Sequence, residues 1–256
     1  MQVVTINNEQ IAYEDIGSGE PIIFIHPPGM GRVVFEKQKP LSNQYRMIIP
    51  DLVGQGDSTF DGKSSISVKR FAKDIIELMD VLRIQKAVIF GYSAGGIITQ
   101  FLGIHYPERI RALIISGAYP IVDNFTLKTE HQLGVYAIKK SKKFLSSVLA
   151  VSHTKNKVFR KNLKNHMMKS NSDVWGKYYI ESLKFNCKNE INKIQMPVLI
   201  LYGSKADYIN MYNKFYKKHL PSLRVHFVQN ESHQIPTRRS EEVNKVAISF
   251  LDELKE

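Results

Sequence analysis

The chain is short of cysteine, of acidic residues and of any long apolar run, and each shortage removes a class of protein. One cysteine, Cys187, in 256 residues excludes an internal disulfide framework. Cys187 also lacks a strand–turn–helix setting, so it is read as a spectator rather than a nucleophile. The histidines are dispersed, with no His-Glu-x-x-His or paired-Cys spacing, and neither a metal site nor a cofactor is expected. No apolar stretch approaches the length of a membrane span. Residues Met1 to Asp15 include Asn7, Asn8, Glu9 and Gln10 but no basic segment ahead of an apolar core. No signal peptide is therefore expected, and a reducing cytoplasm is the expected location.

The acidic shortage is uneven. Lys and Arg number 36 against 24 Asp and Glu, a net charge of +12. The segment from Asp123 to Gln195 alone holds fifteen Lys/Arg and five Asp/Glu. Such a stripe can attract nucleic acid, anionic lipid or an acidic substrate. Here the lysines alternate with Asn, Ser and apolar residues, as on a solvated helix face, and no zinc-finger spacing or RNP-type aromatic motif accompanies them. The reading is a lysine-rich solvated face with a minor bias toward anionic ligands and no nucleic-acid partner.

What is present is strand and helix in alternation, the pattern of a mostly parallel sheet with helices on both faces. Apolar residues make up 43%, enough for one sizeable core. Val3 to Ile6 and Ile11 to Ile16 read as an opening hairpin that turns at Asn7-Asn8-Glu9. Strands follow at Pro21 to His26, Arg46 to Pro50, Lys86 to Phe90 and Arg111 to Ser116, with an amphipathic helix over Ser67 to Leu82. After Tyr119-Pro120 the alternation gives way to helical periods rich in Lys and Asn. It resumes at Pro197 with Val198 to Tyr202, a helix (Met211 to His219), a strand (Arg224 to Val228) and a closing helix (Glu241 to Leu254). The expected organisation is a core of residues 1–120 and 196–256 with a helical cap, 121–195, inserted before the late strands, over the carboxyl edge where open α/β sheets bind ligands.

Gly91-Tyr92-Ser93-Ala94-Gly95 stands between a buried strand and a helix whose apolar residues Ile97, Ile98, Phe101 and Leu102 keep helical spacing. A serine on so sharp a turn, with glycines two before and two after it, is a G-x-S-x-G nucleophile elbow. The alternative is a strand–helix connection with a serine cap. Other polar residues also fall at carboxyl ends of strands: His26-Pro27-Pro28-Gly29-Met30-Gly31, Asp51…Gly54…Gly56…Ser58, Gly203…Asp207 and Ser232-His233. A serine hydroxyl needs a base to take its proton as it attacks, and His233 suits that work. A carboxylate must orient the imidazole, and Asp207 is the candidate. Asp51, Gly54, Gly56 and Ser58 are read as structural loop residues. Trp175 and the Tyr178-Tyr179 pair are read as core.

In these motifs and their order the chain resembles the α/β-hydrolase superfamily along its whole length. The resemblance implies the α/β-hydrolase fold and the order Ser…Asp…His. It says little about substrate; the expected reaction is cleavage of a small or medium carboxylic ester, or another small-molecule acyl substrate, through an acyl-enzyme. Members usually carry the acid three residues after the glycine corresponding to Gly203, whereas Asp207 comes four after. Asp123 is the substitute, since some relatives place the acid there. One oxyanion donor is expected from the Ala94 N–H. The second usually comes from the second residue beyond His26; that is Pro28, which has no N–H, so Gly29 or Met30 is expected to supply it. Tyr92 and Ala94 are expected to line the pocket. A haloalkane dehalogenase is disfavoured, because that chemistry needs a carboxylate at position 93, and the Pro27-Pro28 turn disfavours a proline iminopeptidase. Two rivals to ester cleavage remain: carbon–carbon, thioester or perhydrolytic chemistry on the same triad, and a weakly catalytic ligand-binding protein on the same fold.

Overall fold

In a computed structural model of the chain, which describes residues 1–205 and 208–255, Asn7 and Asn8 both take left-handed backbone conformations, with φ of 51° and 66°. That turn matches the twist of paired strands and joins β1 (Gln2–Ile6) to β2 (Glu9–Ile16). Then come β3 (Pro21–Ile25), β4 (Arg46–Pro50), α1 (Val68–Val81), β5 (Ala87–Tyr92), α2 (Gly95–His105) and β6 (Ile110–Ser116). Four helices separate β6 from the next strand: α3 (Phe125–Lys140), α4 (Lys142–His153), α5 (Lys157–Met167) and α6 (Ser172–Lys184). The chain ends with β7 (Val198–Gly203), α7 (Asn213–His219), β8 (Leu223–Val228), α8 (Ile235–Arg238) and α9 (Ser240–Asp252).

The strands form one sheet in the order β1-β2-β4-β3-β5-β6-β7-β8. β2 pairs antiparallel with β1 and β4, and the pairings from β4 to β8 are parallel. Parallel strands are covered on both faces, which is why β3, β5, β6 and β7 are near-continuous apolar runs. Alternate residues of one strand serve opposite cores: Ile23 and Ile25 pack with α1 and α2, while Ile22 and Phe24 pack with α9. Each inserted helix starts on a polar cap that accepts backbone N–H groups: Asn124, Ser141, Asn156 and Asn171. The asparagine richness of this region is thus partly capping chemistry.

The Pro/Gly-rich loop after β3 runs into a 3₁₀ segment, Arg32–Asn43, that packs on β4 and α9. The helix expected from Met211 begins with a 3₁₀ turn, Asn210–Tyr212, before α7. No helix among the described residues is long and apolar enough to cross a membrane.

A buried polar cluster ties the inserted helices to the sheet. Asp51, at the end of β4 and fully buried, accepts from the Arg32 N–H (2.6 Å), the Asp57 N–H (2.9 Å) and His166 Nε2 of α5 (2.9 Å), and pairs with the Arg32 guanidinium. Burial alone would raise its pKa, but the His166 bond and the Arg32 charge outweigh that and hold the carboxyl below its ordinary value. Asp51, Asp57 and His166 bring donor atoms within 4.8 Å of one another. Arg32 pairs with both carboxylates and supplies the positive charge there. The loop residues thus have the structural role expected of them.

Candidate active site

Ser93 sits at the end of β5 with φ of 53°, a left-handed conformation that costs energy outside glycine. The flanking glycines make the bend possible. A Cβ at Gly95 would lie 2.1 Å from the Ile25 carbonyl oxygen, and one at Gly91 would lie 2.2 Å from Thr99 Oγ1. Neither close approach tolerates a side chain, so the turn demands the G-x-S-x-G spacing. Ser93 is held by its N–H donating to the Ser116 carbonyl at 2.8 Å.

His233 follows β8 and meets the serine: Nε2 lies 2.8 Å from Ser93 Oγ. Gly117, beyond β6, leaves room for the ring, since a Cβ there would fall 2.3 Å from His233 Cε1. Two of the three expected catalytic side chains are therefore in hydrogen-bond contact across 140 residues of chain. The third, Asp207, lies outside the described residues. Its substitute, Asp123, is engaged elsewhere: its carboxylate accepts from the Tyr212 hydroxyl (2.6 Å) and pairs with Lys188 (2.8 Å). Asp123 does not reach the imidazole.

The pair opens into a cavity of about 830 Å³ lined by Met30, Tyr92, Ala94, Leu145, Leu149 and Tyr179, among others. Tyr92 and Ala94, expected to line the pocket, do so, and Met30, expected as an oxyanion donor, lines it as well. Ala94 precedes the first turn of α2, where N–H groups lack intrahelical acceptors and the helix dipole favours negative charge.

Gly29 is a correction. Its N–H donates to Gln55 Oε1 at 2.7 Å, its carbonyl accepts from Ser170 Oγ at 3.0 Å, and the Trp175 ring lies over its α-carbon. It is bound into the core–insertion seam and does not line the cavity, so its N–H is not an oxyanion donor. The Met30 N–H closes a turn on the Pro27 carbonyl at 3.3 Å. Trp175 and Tyr178 are buried in the core, as read, while Tyr179 lines the cavity.

The sequence reading missed the two other histidines of the cavity wall. His131 Nδ1 donates to the Leu127 carbonyl (2.9 Å) while Nε2 accepts from the Tyr119 hydroxyl (3.1 Å). His153 does the same with the Leu149 carbonyl (2.7 Å) and Tyr92 (3.0 Å). His26, buried below, donates from Nδ1 to the Pro27 carbonyl and accepts the Leu52 N–H at Nε2. Burial pushes all three down to about 4, and protonating any Nε2 would break an accepted hydrogen bond. In the unfolded chain these rings protonate near 6.5. Between pH 6.5 and 4 the unfolded state therefore binds more protons, and stability drains away as pH falls. The expected loss is up to about 1.4 kcal/mol per pH unit for each histidine. Urea midpoints measured across that window would show the decline, and His153→Gln should flatten it.

A family match and three likenesses to individual proteins bear on this site. Residues 20–166 match the family described as alpha/beta hydrolase fold. The chain is 25% identical over 259 residues to serine hydrolase BPHL of Homo sapiens, covering 97% of this chain and 85% of that protein. It is 28% identical over 108 residues to 2-hydroxy-6-oxo-2,4-heptadienoate hydrolase of Pseudomonas putida, covering 41% and 39% respectively. Among solved structures, the esterase EaEST from Exiguobacterium antarcticum superposes with a TM-score of 0.87 at 21% identity, covering 99% of this chain and 98% of that one. At that identity the superposition speaks for the fold alone.

Proposed function

This chain belongs to the alpha/beta hydrolase family, and from that premise we propose that it is a serine hydrolase that cleaves a carboxylic ester through an acyl-enzyme. One observation carries the proposal: the 2.8 Å contact between Ser93 Oγ and His233 Nε2, set on a strained turn at the floor of a largely apolar cavity. In this reading Ser93 Oγ attacks the ester carbonyl while His233 Nε2 takes its proton. The imidazolium then protonates the departing alkoxide, leaving an acyl-Ser93. Water, deprotonated by the same nitrogen, releases the acid and restores the hydroxyl. Asp207 orients the ring, and residues 121–195 serve as the cap. The cavity suits an acyl chain: among the described residues that line it, Lys140 is the single Lys or Arg.

The curated relative that hydrolyses a heptadienoate raises carbon–carbon cleavage as an alternative on the same side chains, but so apolar a wall offers little for a dienoate carboxylate. A second reading has a specific motive. With Pro27 and Pro28 lacking N–H groups and the Gly29 N–H spent on Gln55, the oxyanion falls mainly to Ala94 and the start of α2. Loss of one donor can cost about a hundred- to a thousand-fold in turnover, which would suit a ligand-binding protein with weak catalysis. A fluorophosphonate probe decides. Ser93-dependent labelling supports the hydrolase; its absence on folded protein supports the binder.

The acid has its own test. Asp207→Asn is expected to lower kcat by up to about 10⁴-fold by misorienting the imidazole. Asp123→Asn should change it by less than about threefold, since a half-exposed ion pair contributes little. Steady-state rates on one ester settle the assignment, and the reverse pattern would overturn it.

A further inference from the structure

Within the segment read as a solvated lysine face, the first two helices carry apolar side chains outward. In α3 the residues Phe125, Thr129, Leu133, Tyr136 and Lys140 recur every three or four positions and form one stripe. It lies opposite the buried stripe of Leu127, His131, Gly134 and Ile138. In α4, Phe144, Val148 and Val151 form a second outward stripe, opposite the buried Leu145, Ser146, Ala150 and His153. Phe125 is 83% exposed, Phe144 65% and Tyr136 61%. Both helices are thus apolar on two faces, and only one face is covered. A contiguous exposed apolar patch of this kind marks an interaction surface rather than ordinary solvent exposure.

Position and charge say what covers it. Phe125, Leu133, Tyr136, Phe144 and Val148 also border the cavity that holds Ser93 and His233, so the patch surrounds the cavity mouth. Lys128, Lys139 and Lys143 flank the two stripes, and Lys140 holds its ammonium 5.7 Å from the Tyr136 ring. Glu130 is the single carboxylate on α3 and α4. A second copy of the chain would set lysine against lysine. Aromatic and aliphatic side chains ringed by lysines, on helices lying side by side, are the make-up of a face that settles into a headgroup layer. The apolar groups enter the acyl boundary while the lysine stems reach back to the phosphates.

We propose that the α3–α4 face docks this protein on an anionic lipid surface, with the mouth of the Ser93 cavity opening against it. On the ester-hydrolase reading, the substrate is then a lipid ester whose acyl chain passes from the surface into the cavity. The docking itself does not rest on that reading.

The test uses Ser93→Ala protein, so that turnover plays no part. It is mixed with sucrose-loaded vesicles of phosphatidylcholine, alone or with about a third phosphatidylglycerol, and pelleted. Partitioning is expected to be stronger on the anionic vesicles by on the order of a hundredfold, and to fall toward that on neutral ones at about 0.5 M salt. The triple variant Lys128→Gln/Lys139→Gln/Lys143→Gln should lose most of that preference, at about fivefold per lysine. Phe125→Ser/Phe144→Ser should weaken binding to anionic vesicles by at least about tenfold. Equal binding to both vesicle types, or binding untouched by either variant, would overturn the proposal. So would a lack of vesicle binding by protein that instead forms a dimer in light scattering or is retained on an immobilised acidic protein. Should wild-type protein hydrolyse no ester while the Ser93→Ala form still partitions onto anionic vesicles, docking stands and only the enzymatic reading falls.

Discussion

Ser93→Ala is expected to lower kcat/KM on a short-chain p-nitrophenyl ester by about 10⁴- to 10⁶-fold. The size follows from what the hydroxyl does in the proposed reaction. Without it no acyl-enzyme forms, and what survives is water attack aided by substrate binding and whatever the Ala94 N–H contributes. Ser93 and His233 act as a unit through their 2.8 Å contact. His233→Ala should therefore cost about as much, and the double variant little more than either alone. Additive losses would mean that the two side chains work separately. The fold should be indifferent to the substitution, because the turn is held by backbone bonds and by Gly91 and Gly95 rather than by the hydroxyl. A melting temperature within a few degrees of the parent, about 1 kcal/mol or less, is the control. Retention of more than about a tenth of the activity would exclude Ser93 as the nucleophile.

The second large effect concerns stability. Asp51→Ala strips the carboxylate from a site where the Arg32 guanidinium, His166 Nε2 and two backbone N–H groups all converge. Arg32 and His166 are themselves buried, so removing the acceptor takes from Arg32 its most deeply buried partner, leaving Asp57 and Glu14, and leaves several donors unanswered away from water. Breaking a buried pair in this way costs about 3–5 kcal/mol, a large share of the ~5–15 kcal/mol that holds a typical domain. Replacing His166 by leucine leaves Asp51 and Arg32 paired and should cost only about 1–2 kcal/mol. Urea unfolding of the three proteins would test the ordering. A loss below about 1 kcal/mol for Asp51→Ala would make the cluster incidental. Because α5 reaches the sheet through this carboxylate, limited proteolysis of Asp51→Ala should cut first between residues 155 and 172.

Ser93 and His233 were legible because each sits at a break in hydrophobic pattern. Ser93 stands where a continuous apolar strand becomes a helical pattern, and His233 in the polar turn after the last strand. The start of the amphipathic helix at Ser67 was legible for the same reason, whereas the capping role of the asparagines shows only in the fold. Gly29 was not legible either. Whether a backbone N–H points into a cavity depends on its neighbours in space, and here Gln55, 26 residues on, takes it. His131 and His153 escaped notice, and Tyr179 reads as core, because helical spacing marks a side chain as inward-facing without saying whether it meets core or cavity. The outward apolar stripes of α3 and α4 were hidden in the same way, since two stripes on one helix look like one generous core face until packing covers only half of it.

Local pattern alone determined the order of strands and helices, the turn at Ser93 and the run of helices between β6 and β7. Backbone stereochemistry, apolar period and capping act over a few residues and need no partner. Tertiary structure decided which donors remain for an oxyanion, that Asp123 is spent on Lys188 and Tyr212, and which apolar side chains stay in water. Those outcomes turn on competition among groups far apart in sequence for the same hydrogen bond or the same buried surface, and only the folded chain brings the competitors together.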